Sequence, residues 1–337
     1  MKVFMIGGTG LLGSEGAKEL IRRGHQVFSI ALPPIPTGAE LAPEMELILG
    51  NYMEMTDDEI RNHMKGCEGF VFAAGIDERV EGPAPIYDMF YKYNIKPLER
   101  LLKLAKEVGV KKVVVLGSYF AYFERVWKDQ RMYETHPYVR SRVDQANMAL
   151  SFADDKMAVS VLELPYIFGT QPGRKPVWVF LVEQIRKMKS VTMYPKGGTT
   201  MVTVKQVGQC IAGAIEGGKG GKNYPIGYYN LTWKEMLTIF HKHMGVPKKK
   251  IITIPTFLYR IGMKSMIKEN KAKGTQPGLD LMGLVKIMTS EAFIDKNTAV
   301  QELGVGPDDI DKAIGDSVRL CIDVLDGKQQ AIGMKGE

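Results

Sequence analysis

Short apolar runs alternate with amphipathic stretches through the first half of the chain. Short apolar runs are typical of strands buried on both faces of a parallel sheet, and apolar positions three or four apart are typical of helices. The predicted strands are 3–6, 26–32, 45–49, 69–74, 112–116 and 159–164. The predicted helices start after residue 10 and span 57–64, 85–108 and 138–152. This alternation predicts an α/β fold with a doubly wound parallel sheet.

The alternation loosens after Gly169, where Pro172, Gly173 and Pro176 indicate a loop. Helical patterns follow at 178–188, 207–216 and 232–244. Residues 254–293 are rich in Met, with Lys and Arg interspersed, and are predicted to be helical. We therefore expect a second, smaller lobe to which loops from the carboxyl edge of the sheet contribute.

The chain opens on a strand, three glycines spaced three apart and a helix start. Gly7 permits a tight turn, Gly10 allows close approach of the backbone to a pyrophosphate, and Gly13 allows the helix to pack near the strand. The N–H groups at the helix N-terminus attract an anion. We therefore predict a Rossmann-type dinucleotide-binding domain at 1–168 and a substrate-binding lobe at 169–330, with some segments of the lobe returning to the sheet.

Composition and charge indicate which classes of function the chain does not have. The 337 residues carry a net charge of +7 without a basic stripe interleaved with aromatic residues, so we expect no nucleic-acid binding. We expect no membrane span, because no apolar run is long enough, and no leader, because the first strand begins at once. Three widely spaced cysteines form neither a metal motif nor a disulfide framework and fit a reducing cytoplasm. Isolated histidines give no reason to expect a metal.

Several segments in order carry a resemblance to a known family. Besides the glycine loop, they are Phe72-Ala-Ala-Gly75, Tyr93-Asn-Ile-Lys96, Val113-Val-Val-Leu-Gly-Ser118, Tyr138-Val-Arg-Ser-Arg142 and Pro165-Tyr-Ile-Phe-Gly169. The chain resembles the extended short-chain dehydrogenase/reductase family of the NAD-dependent epimerase/dehydratase type, from Met1 to about Ile322. The resemblance implies a bound NAD or NADP and a small-molecule substrate, and it is compatible with a homodimer formed through the long helices.

The resemblance also implies which residues bind the cofactor and which act in catalysis. The cofactor-binding residues are expected to be Gly7, Thr9, Gly10, Leu11, Leu12, Gly13, Ala31, Asn51, Tyr52, Ala73, Ala74, Gly75, Asn94, Pro165 and Ile167. The expected catalytic residues are Ser118, Tyr138 and Arg142. Tyr138 is the expected acid/base, Ser118 orients the substrate oxygen, and the cation at i+4 stabilises the phenolate.

Three positions depart from the family pattern. Arg142 stands where the family has Lys; it keeps the charge but is a planar fork rather than a point charge, so we hypothesise altered catalysis. Ala31 stands where NAD-preferring relatives have Asp or Glu, with no nearby Arg, so the choice between NAD and NADP stays open. Glu163 stands where relatives often have Arg, and indicates either a compensated structural network or a changed substrate.

Two substrate classes fit the sequence. Arg174, Lys175, Lys196 and Arg260 are candidates to hold the diphosphate of a sugar nucleotide. The Met-rich and aromatic segments instead favour an apolar ketone or alcohol. We expect an NAD(P)-dependent oxidoreductase or epimerase, and the alternative is a catalytically silent NAD(P)-binding sensor or scaffold with the same fold.

Overall fold

A computed structural model describes residues 1–333. Its strands are β1 (Lys2–Ile6), β2 (Gln26–Ala31), β3 (Glu46–Leu49), β4 (Gly69–Phe72), β5 (Glu81–Gly82), β6 (Lys112–Ser118), β7 (Ala158–Leu164), β8 (Tyr166–Phe168), β9 (Val191–Pro195), β10 (Gly198–Thr203), β11 (Gly221–Pro225), β12 (Tyr229–Thr232), β13 (Lys250–Ile254), β14 (Gln276–Pro277) and β15 (Glu291–Ala292).

The helices include one π-helical segment, Tyr91–Ile95, and one 3₁₀ turn, Lys128–Gln130. The α-helices are α1 (Leu11–Arg22), α2 (Asp57–Met64), α3 (Tyr87–Phe90), α4 (Lys96–Glu107), α5 (Tyr119–Val126), α6 (Met132–Thr135), α7 (Pro137–Leu150), α8 (Val179–Lys187), α9 (Val204–Gly217), α10 (Trp233–His243), α11 (Thr256–Lys273), α12 (Leu281–Met288) and α13 (Ile310–Leu325). None of the helices in residues 1–333 has both the length and the apolar character needed to cross a bilayer.

Seven parallel strands form the main sheet in the order β11-β7-β6-β4-β1-β2-β3. The chain therefore leaves β1 first toward one edge, through β2 and β3, and then returns to build the other side from β4. Ligands of such sheets bind outside the carboxyl ends of the strands at this switch point, which here lies between β1 and β4. The doubly wound α/β architecture predicted from the apolar runs is confirmed.

Segments of the second half complete this sheet. Strand β11 pairs with β7 at the edge, and α9 packs against α1. Small residues allow that close packing: a Cβ on Gly208 would lie 2.7 Å from the carbonyl oxygen of Glu15. The remaining strands form a small sheet around β10 and two short two-stranded pairs. The predicted dinucleotide-binding domain and the predicted substrate-binding lobe are therefore interleaved. The boundary between them at 168/169 stays a prediction.

The long helix predicted over 85–108 is interrupted in the structure. Helix α3 leads into the π-helical segment, and α4 continues from Lys96 to Glu107. Extra residues in a helical turn shift the faces of the turns on either side, and such π-bulges are frequent at functional sites. The apolar spacing of Leu98, Leu101 and Leu102 indicated the buried face of α4 but contained no sign of the bulge.

Candidate active site and dinucleotide cleft

A large cleft of about 1110 Å³ opens at the carboxyl ends of β1 and β4 and extends to Tyr138. That volume exceeds the roughly 300–1,000 Å³ of an ordinary small-ligand pocket, so a dinucleotide and a second molecule both have room. The cleft is lined by Ser118, Tyr138, Arg142 and all but two of the expected cofactor residues; the exceptions are Gly13 and Asn94.

The glycine loop has the shape that a pyrophosphate requires. Gly7 has φ +94°, and a Cβ there would lie 2.6 Å from the Ala73 carbonyl oxygen. A Cβ on Gly13 would lie 2.2 Å from the Gly7 carbonyl oxygen, so Gly13 acts by packing beneath the loop rather than by lining the cleft. Helix α1 begins at Leu11, after Gly10, without a side-chain cap or an acidic first turn. Its first N–H groups can therefore bind an anion, and the site fits the phosphates of a dinucleotide.

Ser29 supports this loop from β2, a contribution that the sequence analysis missed. Its Oγ accepts a hydrogen bond from the backbone N–H of Gly8 at 3.0 Å. Farther along the cleft, Ala31, Asn51 and Tyr52 line the wall. The Oδ1 of Asn51 accepts from the N–H of Met53 at 3.2 Å, so this side chain shapes a turn as well as facing the cleft.

Asn94 supports the cleft from below. The π-helical segment places it fully buried, where its Oδ1 accepts from the N–H of Ile76 at 2.8 Å and its Nδ2 donates to the Ile76 carbonyl at 3.0 Å. The loop after β4 is thereby held against the helix, and Gly75 (φ +132°) leaves the space that the Asn94 amide occupies. Direct binding of the cofactor by Asn94 stays a prediction, and the observed role of the side chain is to position the Gly75–Ile76 backbone.

The three expected catalytic residues line one end of the cleft. Ser118 ends β6 and caps α5, with its Oγ accepting from the N–H of Phe120 at 3.4 Å. Tyr138 lies in the first turn of α7 and is 3% exposed. Arg142 lies one turn later, and its Nε donates a hydrogen bond to the Tyr138 hydroxyl oxygen at 3.0 Å. The i, i+4 spacing therefore brings the cation into direct contact with the phenol.

Arg142 makes two further hydrogen bonds with the other two nitrogens of its guanidinium. Its Nη1 donates to Gln145 Oε1 at 2.8 Å and its Nη2 donates to the Ile76 carbonyl at 3.1 Å. Gln145 in turn donates to the Asn94 carbonyl at 2.7 Å. The planar fork thus ties α7 to the loop after β4, which is a geometric reason for Arg at this position. Gln145 was not identified from the sequence, because its only signal is the helical spacing.

Burial raises the pKa of Tyr138 to about 12, which outweighs the lowering by Arg142; Glu78 and Asp77 add to the rise. The phenol is therefore protonated at neutral pH. Glu78, which is half-buried, also lines this end, and burial together with Asp77 raises its pKa to about 7. Glu78 was not identified from the sequence, although the charged run Asp77-Glu78-Arg79 follows shortly after buried β4, where parallel-sheet proteins place functional residues.

Aromatic side chains form the wall beyond Tyr138. Tyr119, Phe120, Tyr166, Trp178 and Phe180 line this part of the cleft. Two of their polar atoms are engaged by the protein: the hydroxyl of Tyr119 lies 3.1 Å from Thr199 Oγ1, and Trp178 Nε1 donates to the Ile167 carbonyl at 3.0 Å. The wall therefore offers mainly ring surfaces to a substrate.

The four basic candidates for a diphosphate do not meet. Arg174 and Lys175 line the cleft near the glycine loop. Lys196 lines a separate shallow depression beside Trp127, and Arg260 lies on the exposed helix α11. Within residues 1–333 there is also no cluster of His, Cys, Asp or Glu side chains that could hold a metal ion.

Glu163 belongs to a compensated structural network. It is fully buried on β7, and Arg125 from α5 binds it through two hydrogen bonds of 2.7 and 2.6 Å. Burial raises the pKa of Glu163, which the Arg125 guanidinium counteracts. Of the two alternatives for this position, the described contacts account for the structural one.

Known proteins with similar sequences and structures agree with this architecture. Residues 7–157 match the protein family described as NAD(P)H-binding. A protein from Synechocystis sp. that is named dihydroflavonol 4-reductase is 23% identical over 334 residues, covering 94% of this chain and 93% of that protein.

Two solved structures show the same fold. The structure of gox2253 aligns with a TM-score of 0.72 at 20% identity, covering 97% of this chain and 99% of that one. The UDP-glucuronic acid 4-epimerase from Bacillus cereus, in complex with UDP-glucuronic acid and NAD, aligns with a TM-score of 0.67 at 13% identity, covering 96% and 100%. With the glycine loop and the sheet order, these matches show that residues 7–157 form an NAD(P)H-binding region within a Rossmann-type α/β fold, and that the chain is similar to NAD(P)-dependent reductases and epimerases.

Proposed function

We propose that this chain is an NAD(P)H-dependent reductase of a carbonyl group in a largely apolar small molecule, with Tyr138 as the proton donor. The observation that carries the proposal is the direction of the Tyr138–Arg142 hydrogen bond. Arg142 Nε–H donates, so the phenol oxygen accepts and the hydroxyl proton remains available for donation. A buried, protonated tyrosine facing a cleft is suited to protonate a developing alkoxide.

The proposed reaction couples a hydride transfer to a proton transfer. A bound reduced nicotinamide would supply the hydride to the carbonyl carbon. The Tyr138 hydroxyl gives its proton to the carbonyl oxygen, and the Arg142 guanidinium stabilises the phenolate that forms. Ser118 Oγ, at the end of β6, would hydrogen-bond the same oxygen. Glu78, with a pKa near neutrality, is suited to exchange protons with water so that Tyr138 is reprotonated.

The aromatic wall supports the choice of an apolar substrate over a sugar nucleotide. The diphosphate of a sugar nucleotide would need a second anion site besides the glycine loop, and the candidate cations for it are dispersed over the cleft, a second depression and an exposed helix. The ring surfaces of Phe120, Tyr166 and Trp178 instead favour a ring-containing ketone or aldehyde. The relative named dihydroflavonol 4-reductase points in the same direction.

The test is a panel of aromatic and alicyclic carbonyl compounds with NADPH and with NADH, followed by absorbance of the reduced nicotinamide. We expect turnover with at least one of them, and a loss of roughly 10³-fold in kcat for Tyr138→Phe, as for removal of a general acid. Tyr133→Phe is the matched control, because that hydroxyl binds Asp144 away from the cleft.

Three results would contradict the proposal. Interconversion of UDP-sugars without net consumption of cofactor would establish an epimerase. Cofactor binding without any turnover would favour the silent sensor. Equal activity of wild type and Tyr138→Phe would show that Tyr138 is not the proton donor.

A further inference from the structure

Arg174 reaches the glycine loop from the opposite side of the cleft. Its Nη2 donates a hydrogen bond to Thr9 Oγ1 at 3.1 Å, although 165 residues separate the two in sequence. Arg174 lies in the loop between β8 and α8, which belongs to the second half of the chain. The glycine loop is therefore covered by a cation that neither β2 nor α1 supplies.

The backbone around Arg174 is held on two sides. Gly173 has φ +77°, and a Cβ there would lie 2.3 Å from the carbonyl oxygen of Thr37, in the segment that follows β2. On the other side, the N–H of Ile332 donates to the Gly173 carbonyl at 2.8 Å, and the N–H of Lys175 donates to the Ile332 carbonyl at 3.0 Å. These contacts determine where the Arg174 side chain enters the cleft.

The Arg174 guanidinium lacks an anionic partner. The side chain is half-buried, its Nε is buried without a hydrogen-bond partner, and no carboxylate of residues 1–333 forms an ion pair with it. Burial lowers the pKa of Arg174 accordingly. A desolvated cation without a counter-ion is costly, and because Arg174 lines the cleft, an anion bound there would offset that cost. The acceptor group expected here is an anion contributed by the ligand.

Two anionic parts of a dinucleotide could meet a cation in this cleft, the pyrophosphate and the 2′-phosphate of NADP. The pyrophosphate is expected at the N-terminus of α1, whereas the adenosine ribose is expected beside the end of β2. Gly173, next to Arg174 in sequence, packs against residues 36–37 after β2, on the expected ribose side, and the Arg174 guanidinium reaches from there to Thr9 of the glycine loop. Residues 31–39 contain no charged side chain, so nothing there repels or binds a 2′-phosphate.

The acidic residue Glu54 also lines this part of the cleft. It is exposed and accepts a hydrogen bond from the Asn51 amide. Its charge is therefore solvent-screened, whereas the charge of Arg174 is partly desolvated. The balance between the charges of Arg174 and Glu54 therefore favours the binding of an anion.

We propose that Arg174 binds the 2′-phosphate of NADP(H), and that this residue, supplied from across the cleft, makes NADP(H) the preferred cofactor. An Arg fork is well matched to phosphate, because two N–H groups can bind two oxygens. The Arg174–Thr9 hydrogen bond holds the guanidinium beside the site. The inference rests on the dinucleotide site of the proposed function and not on its turnover step. A protein that binds NADPH tightly but reduces no carbonyl compound would overturn the proposed function alone.

The test compares binding, by isothermal titration calorimetry, of NADPH and NADH, and of adenosine 2′,5′-bisphosphate and adenosine 5′-monophosphate. The last two probes differ only in the 2′-phosphate. For the wild type we expect NADPH and the bisphosphate to bind about tenfold or more tightly than their partners. Arg174→Gln should remove that preference while changing the affinities for NADH and the monophosphate by less than about threefold, and Arg174→Lys should retain part of it.

Arg260→Gln is the matched control, because it removes an equal charge from an exposed helix and should change no affinity. Retained NADH binding by Arg174→Gln reports that the variant is folded. An equal loss for all four probes would place Arg174 at the pyrophosphate and overturn the proposal. Unchanged affinities in Arg174→Gln, or a wild type that prefers NADH, would also overturn it.

Discussion

The two ends of the cleft are built in different ways. At the glycine end, Gly7, Gly10 and Gly13 lie within one β-turn-α unit, and Gly10 and Gly13 both pack against Gly7. At the tyrosine end, Tyr138, Ile76 and Asn94 come from three separate segments and are joined by the Arg142–Gln145 network. The glycine end depends on backbone space and the tyrosine end on side-chain hydrogen bonds. Substitutions should therefore disturb the two ends in distinguishable ways.

The largest effect is expected at the glycine end. Gly13→Ala would place a Cβ 2.2 Å from the Gly7 carbonyl oxygen, a contact with backbone that cannot be relieved by a rotamer change. We expect the affinity for the dinucleotide to fall at least about 100-fold and the protein to lose roughly 3 kcal/mol or more of stability. Calorimetric titration and urea unfolding measure the two quantities.

Gly262→Ala is the control for that change. It makes the same substitution in the interior of α11, where no atom lies within 4 Å of the added Cβ. Higher helix propensity should stabilise it slightly, by roughly 0.5–1 kcal/mol, without altering binding. If Gly13→Ala bound the dinucleotide as well as Gly262→Ala does, the steric account of the glycine end would be wrong.

The second effect concerns the ion pair beneath the tyrosine end. Arg125 on α5 and Glu163 on β7 connect the helix that carries the aromatic wall to the strand that leads into Pro165. Arg125→Met leaves a fully buried carboxylate without a partner and should cost about 3 kcal/mol in urea unfolding. Adding Glu163→Gln to that variant should recover part of the loss. A double variant no more stable than Arg125→Met would contradict this pairing.

The smallest effect is a pH dependence at the start of α7. His136 Nδ1 accepts a hydrogen bond from the N–H of Asp280 at 2.9 Å, and burial lowers the pKa of His136 to about 4 from 6.5. Between pH 6.5 and pH 4 the unfolded chain therefore binds a proton that the folded chain does not. This contribution to stability is complete above pH 6.5 and declines as the pH falls toward 4.

His136→Asn keeps an acceptor near the position of Nδ1 but cannot titrate. Between pH 7 and pH 5, the wild type should lose roughly 2 kcal/mol more in free energy of unfolding than this variant loses. His63→Asn, a substitution on the peripheral helix α2, should retain the wild-type slope. Parallel slopes for wild type and His136→Asn would show that His136 does not carry the effect.

The sequence was most informative where a function depends on neighbours along the chain. The strand–helix alternation, the glycine loop and the Tyr138–Arg142 spacing were all read from local patterns, and the fold predicted from them is confirmed. Helix α5, the edge strand β11 and helix α13 were not predicted, since their amphipathic or apolar signals are short or follow loops. Glu78 and Gln145 were missed because an isolated polar residue has no local signature of function.

The sequence by itself thus determined the α/β fold, the phosphate-binding turn and the pairing of a tyrosine with a cation one helical turn away. Only the tertiary structure decided that Arg125 neutralises Glu163, that Asn94 supports the Gly75–Ile76 loop, and that Arg174 donates a hydrogen bond to Thr9. The physical reason is the range of the interactions. Backbone turns and i, i+4 contacts are set by residues a few positions apart. Burial, desolvation and long-range hydrogen bonds depend on which distant segments the chain brings together.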